Sequence, residues 1–147
     1  MTTALHLAPA VAASLARWHA MIASRDFTGL LDITRPDVTF RSPAVFKPYH
    51  TAPVLHVILS TVIGVFEDFA YHREFATGDG LSVVLEFSAR VGDRELKGID
   101  MIRFDEQGRI AEFEVMIRPL SGLQALAGEM NQRFPAALAA AGLAKPA

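Results

Sequence analysis

One carboxylate in this chain stands where its surroundings call for an apolar side chain. In LKGIDMIRFDEQGRI, residues 96–110, apolar residues alternate toward a turn signal at Asp105, Glu106, Gln107 and Gly108, and Asp100 falls between Gly98 and Ile102 on the apolar face. An unpaired buried carboxylate is costly, so such an acid must be either partnered or neutral. A carboxyl in apolar surroundings has its pKa raised, and it can then donate or shuttle a proton near pH 7. The plain structural alternative is an acid bonded to a hydroxyl, an indole or a backbone amide; the ligand-facing reading is the one carried forward.

Few other residues bring chemistry. Trp18 can offer an indole N–H, and His72 is a good acid/base type. Ser42, in FRSP, lacks the strand–turn–helix setting of an activated serine. His19, His50 and His56 have no His, Asp or Glu neighbours at a metal-binding spacing, so no metal site is expected. There are no cysteines, hence no thiolate nucleophile and no disulfide framework. No cofactor is expected.

The turns orient these residues. With Gly92-Asp93 as a two-residue hairpin loop, Arg90 faces Glu95, Phe87 faces Gly98, Leu85 faces Asp100 and Val83 faces Ile102. One face then carries the aliphatic bulk with Asp100 in its middle, and a slip of one residue would exchange the faces wholesale. On the last strand Ala111, Phe113, Val115 and Ile117 share a face, while Glu112, Glu114 and Arg118 point away. Read the same way, Gly78-Asp79 puts His72 opposite Leu85, in the row of Asp100 and roughly 10 Å from it. The apolar parity of Phe69, Tyr71 and Phe75 runs the other way, and a bulge near Gly78 would reverse the assignment.

Spacing predicts an amphipathic helix over 9–24, then a short helix over 27–33 capped by Asp26. A short strand follows through Val38, Phe40 and Ser42, then a loop over 43–50. A third helix starts at Thr51 and is apolar nearly all round, so it must be covered on more than one side. Strands are expected over 69–77, 81–91, 94–104 and 110–118, and a helical tail from Leu120 to Phe134, with the alanine-rich 136–147 fraying at its end. This is one α+β domain over 1–147, its core at 10–120.

Composition narrows the function. Hydrophobic residues are 51% of the 147, charged residues 20%, and the net charge is −2 without a Lys/Arg cluster. Nucleic-acid binding is not expected. The longest apolar stretch, 53–66, is too short to span a bilayer, and the apolar N-terminal run lacks a preceding basic segment. The expectation is a soluble cytoplasmic protein with no membrane partner.

The order of elements, together with GIDMIRFDEQGRI and ASRDFTGLLDI, resembles the nuclear transport factor two-like superfamily, in its SnoaL-like and ketosteroid-isomerase-like branch. The resemblance implies a cone-shaped barrel of curved antiparallel sheet with three helices on its concave face. It implies a pocket with Asp100 as catalytic acid/base and a ligand-binding wall of Trp18, Ile22, Phe40, Ser42, His72, Leu85, Phe87, Ile102, Phe113 and Val115. The isomerase's oxyanion-hole aspartate falls on Asp100, but its tyrosine falls on Trp18 and its general base on Ser42. Two of three roles are lost, so classical steroid isomerisation is not expected. The epoxide hydrolases need an Arg where this chain has Gly98, which argues against that chemistry; SnoaL-type cyclases remain open.

The resulting expectation is a small hydrophobic, carbonyl-bearing or polyketide-like ligand and cofactor-independent isomerase, cyclase or lyase chemistry. The alternative is a non-catalytic binding or dimeric interaction protein. An outer sheet face carrying Val84, Ile99, Met101 and Met116, with Tyr71 and Phe75 added under the same register, points to a homodimer.

Overall fold

The computed structural model describes residues 5–143. Helix α1, Pro9–Ser24, begins with proline in its first turn and ends at Arg25, which takes the left-handed conformation (φ 57°) and closes the last turn through its N–H to Ile22 O. Val11, Leu15, Trp18 and Met21 form its buried stripe. The expected second helix shrinks to one 3-10 turn, Leu30–Ile33. Asp26 accepts from the N–H and hydroxyl of Thr28, two residues on, and this local turn replaces a helical start.

Strand β1, Thr34–Arg41, leads to a loop and to the two-residue strand β2, Tyr49–His50. Helix α2, Ala52–Val65, follows. Thr51 occupies its cap position without a side-chain capping bond, because its backbone sits at φ 77°. Strands β3 (Glu67–Ala76), β4 (Ser82–Val91), β5 (Arg94–Phe104) and β6 (Ile110–Arg118) form the meander. Helix α3, Leu120–Ala140, carries Pro135 inside it and runs past the expected end. Fraying of the last residues falls partly on 144–147, outside the described residues. The all-round apolarity of α2 has its reason here: β1 lies against one side and α3 against another.

The sheet order is β2-β1-β6-β5-β4-β3. It is curved and mixed rather than antiparallel throughout, since β1 pairs in parallel with β6, and it stays open rather than closing as a barrel. The β4–β5 register is the expected one from Val83↔Ile102 through Leu85↔Asp100 to Arg90↔Glu95, with Gly92 at φ 60° in the tight turn. On β6 the pairing slips between Arg103 and Phe104, so Ile110, not Ala111, takes the core position.

The β3–β4 hairpin departs from expectation. Its loop is not the two-residue Gly78-Asp79. Thr77 N–H bonds Ser82 O, Gly80 takes the left-handed position (φ 72°), and Asp79 Oδ1 accepts from Leu81 N–H. Pairing therefore starts at Ala76↔Val83 and then slips between Tyr71 and Glu74. His72 and Arg73 together fill that bulge and both turn outward, to Ser88 and Glu86. Tyr71 pairs with Phe87 and points inward. The two assignments at 71 and 72 are thus exchanged.

Candidate functional site

A cavity of about 490 Å³ lies between the sheet and the three helices. Its wall is mostly aliphatic and aromatic; the polar side chains that reach it are Trp18, Ser42, Tyr49, Tyr71, Asp100 and Asn131. This is the usual make-up of a small-molecule site, an apolar enclosure with a few placed polar groups.

At its floor three of these groups form a chain. Trp18 Nε1–H donates to Tyr71 Oη at 3.0 Å, and Tyr71 O–H donates to Asp100 Oδ2 at 2.6 Å. Each comes from a different element: α1, β3 and β5. Asp100 Oδ1 has no hydrogen-bond partner among the described residues. Asp100 is 6% exposed and faces no cation. Burial pushes its carboxyl up to about 7, against a smaller downward pull from the Tyr71 hydrogen bond. Tyr71 is held well above its ordinary range by burial and by the negative charge Asp100 carries when ionised. Phe69 and Phe87 meet the Tyr71 ring edge-on at 5.0 and 6.4 Å.

Glycine at 98 is required by the packing beside this acid. A Cβ there would sit 2.6 Å from both Phe87 Cζ and Met116 O. The position at which an epoxide hydrolase would carry Arg therefore admits no side chain.

Trp18, Ile22, Phe40, Ser42, Phe87, Asp100, Phe113 and Val115 all line the cavity. Three expected wall residues do not. His72 lies on the outer face, its Nε2 2.7 Å from Ser88 Oγ, because of the β3 bulge. Leu85 and Ile102 have the expected inward orientation, packed in the main core, but are not among the residues that line the cavity. The expected wall omits Tyr71, Tyr49 and Asn131. The apolar parity of Phe69 and Tyr71 was the signal for the first; Tyr49 falls in the 43–50 loop, which the sequence offers as a cover for the pocket mouth with packing as its plainer role, and nothing local marked Asn131. Among the described residues no three His, Asp or Glu stand together so as to hold a metal, and no helix is long and apolar enough to cross a membrane.

Comparison with known proteins bears on this geometry. The model of the SnoaL-like domain matches residues 15–113. A steroid delta-isomerase from Pseudomonas aeruginosa, known as a crystal structure, is 62% identical, with 92% of this chain and 99% of that one covered and a TM-score of 0.90. An uncharacterised protein with a cystatin-like fold from Silicibacter pomeroyi is 32% identical over 82% of this chain and 84% of its own, at TM-score 0.76. An NTF2-like protein of unknown function from Mesorhizobium loti shares the fold at 13% identity, covering 80% and 100% of the two chains, with TM-score 0.69. No curated protein matches the chain.

Proposed function

Because the chain belongs to the SnoaL-like domain family, within the NTF2-like superfamily, we propose that it binds a small hydrophobic, carbonyl-bearing molecule in this cavity. There it catalyses cofactor-independent proton transfer of the isomerase, cyclase or lyase type, with Asp100 as the acid/base. The observation that carries this reading is the carboxyl raised to about 7 at the floor of an apolar cavity, with one oxygen bonded to Tyr71 and the other unpartnered.

A carboxyl with that pKa is present in both forms near neutrality. As carboxylate, Asp100 removes a proton from the carbon beside the carbonyl: a C–H bond breaks and an O–H bond forms. The same proton then returns to another carbon, restoring the carboxylate. Tyr71, itself held by Trp18, fixes the carboxyl plane and stabilises its charged form.

The 62% identity to a protein named a steroid delta-isomerase supports a polycyclic ketone among the ligand types. The general-base position implied by the sequence resemblance holds Ser42, however, so a two-group steroid mechanism is not what this pocket offers. The test is turnover: ultraviolet spectra of the protein with a β,γ-unsaturated ketosteroid and with polyketide-like aryl ketones, for wild type and Asp100→Asn. Turnover that survives this change undiminished would end the catalytic assignment.

A second reading rests on a specific observation. No second carboxylate and no imidazole lines the cavity among the described residues. A protein that only sequesters or senses an apolar ligand needs no more than Asp100 as an anchor. Ligand recovered chemically unchanged after long incubation favours it. The homodimer remains part of the proposal. Phe75 (51% exposed), Met101 (38%) and Met116 (46%) lie on the outer sheet face; light scattering after size exclusion that gave about 16 kDa would remove it. A cytoplasmic location goes with the absence of cysteines.

A further inference from the structure

The cavity wall shows where it meets solvent. Of the side chains that line it, four are exposed: Ala44 and Val45 from the loop between β1 and β2, and Asn131 and Pro135 from α3. The opening therefore lies between that loop and the C-terminal half of α3.

Both sides of this opening are loosely built. Residues 42–48 belong to no helix or strand, and Ala44 N–H bonds Ser42 Oγ, a bond inside the loop itself. Pro43 and Pro48 have fixed φ angles, which leaves the four residues between them as the part that can turn. Across the gap, Pro135 has no N–H for the Asn131 carbonyl, so α3 lacks a rung of its ladder there.

The residue after Val45 is Phe46, 90% exposed, the most exposed large apolar side chain among the described residues. Single exposed apolar residues are ordinary on protein surfaces. Phe46 differs in its place. Its Cα is one peptide step, about 3.8 Å, from that of Val45, whose side chain already lines the cavity. Turning the loop between its two prolines would carry the ring from water onto the opening. A hydrophobic molecule in the cavity would give the ring a surface to close on. A lipid surface fits the site less well, because the chain has no Lys/Arg cluster to hold one.

We infer that residues 43–48 form a lid, and that Phe46 closes over the bound molecule and slows its escape. This rests on the pocket of the proposed function and holds whichever reaction occurs there. Closure would also keep water from the Asp100 carboxyl while it holds the proton.

The chain has a single tryptophan, Trp18, on the cavity wall, so its fluorescence reports occupancy. The probe is acetylnaphthalene, a flat aryl ketone, followed by stopped flow in wild type, Phe46→Ser and Leu120→Ser. Leu120 is the control: apolar, 68% exposed and not on the cavity wall. Phe46→Ser should release the probe about tenfold faster, the effect of uncovering part of an aromatic ring. Leu120→Ser should release it at the wild-type rate. All three should share one melting temperature, since neither side chain is packed in the core. Equal release rates for wild type and Phe46→Ser would overturn the lid and leave the pocket standing. Unchanged release with a Phe46-dependent change in mass or in vesicle co-sedimentation would also overturn it, by giving the ring another partner. A probe that leaves Trp18 emission untouched in all three proteins would remove the pocket reading as well.

Discussion

Asp100 and Glu86 lie on neighbouring strands of one sheet, 6% and 7% exposed, yet they are held in opposite directions. Asp100 is raised to about 7 and Glu86 lowered to about 2. Glu86 is on the outer face, covered by two long cationic side chains: Arg73 grips both its oxygens and Lys97 approaches to 3.6 Å. Those cations remain partly in water, so Glu86 trades one polar environment for another. Asp100 faces the cavity with a phenol as its partner and no cation, so burial dominates. Equal loss of accessible area thus goes with an outer ion pair at Glu86 and an inner acid with a raised pKa at Asp100. The sign of the nearby groups decided which.

The largest effect that would break this comparison is on turnover. Asp100→Asn should cost about 10²- to 10⁴-fold in kcat/KM, the range for losing a general acid/base, whereas Glu86→Gln should leave it unchanged. The pH profile should carry a limb in which kcat/KM rises with pH through about 7, as the carboxylate that accepts the proton forms.

Stability comes next. An acid whose folded pKa lies above its unfolded value binds more protons when folded, so its contribution is full below about 4 and is lost as pH rises toward 7. The loss amounts to about 4 kcal/mol. Asp100→Asn removes that slope, so its stability relative to wild type should improve by about that amount between pH 4 and pH 8 in urea titrations. Glu86 has the reverse sign: its contribution is present above about 4.5 and is lost as pH falls toward 2. The melting temperature of Glu86→Gln should therefore lie below wild type at pH 7 and approach it in acid.

Smaller still is the effect of the phenol. Tyr71→Phe removes the one bond that lowers the Asp100 pKa, so the activity limb should move to higher pH, with about 1 kcal/mol of stability lost. The mildest change concerns Glu86 itself. Arg73→Met should let its carboxyl rise from about 2 toward the ordinary glutamate range without approaching that of Asp100, as read by carbon-detected NMR titration of both acids.

The same two strands show how far the amino-acid order reaches. Asp100 was legible as an inward acid because Gly92-Asp93 allows one tight turn, and a two-residue period then fixes every facing pair back to Leu85. On β3 the equivalent argument failed. Gly78-Asp79 resembles a tight turn, but the left-handed residue is Gly80, and a bulge at His72 and Arg73 offsets the rest. A bulge inserts one residue without changing composition or hydropathy, so local pattern is nearly blind to it. Its consequence is large, because it exchanges an imidazole for a phenol beside the acid.

The sequence by itself determined the α+β class, the pocket-forming parity of β4 and β5, and the presence of an acid that must be paired or neutral. Local rules suffice there, since turn geometry and alternation act over neighbouring residues. Only the tertiary structure decided which groups meet that acid. Trp18, Tyr71 and Asp100 are 53 and 29 residues apart along the chain and touch only when α1 packs onto the curved sheet. Tyr49 and Asn131 likewise line one cavity only because α3 folds back over α2 and the sheet. Such meetings are set by packing between distant elements, which no local period encodes.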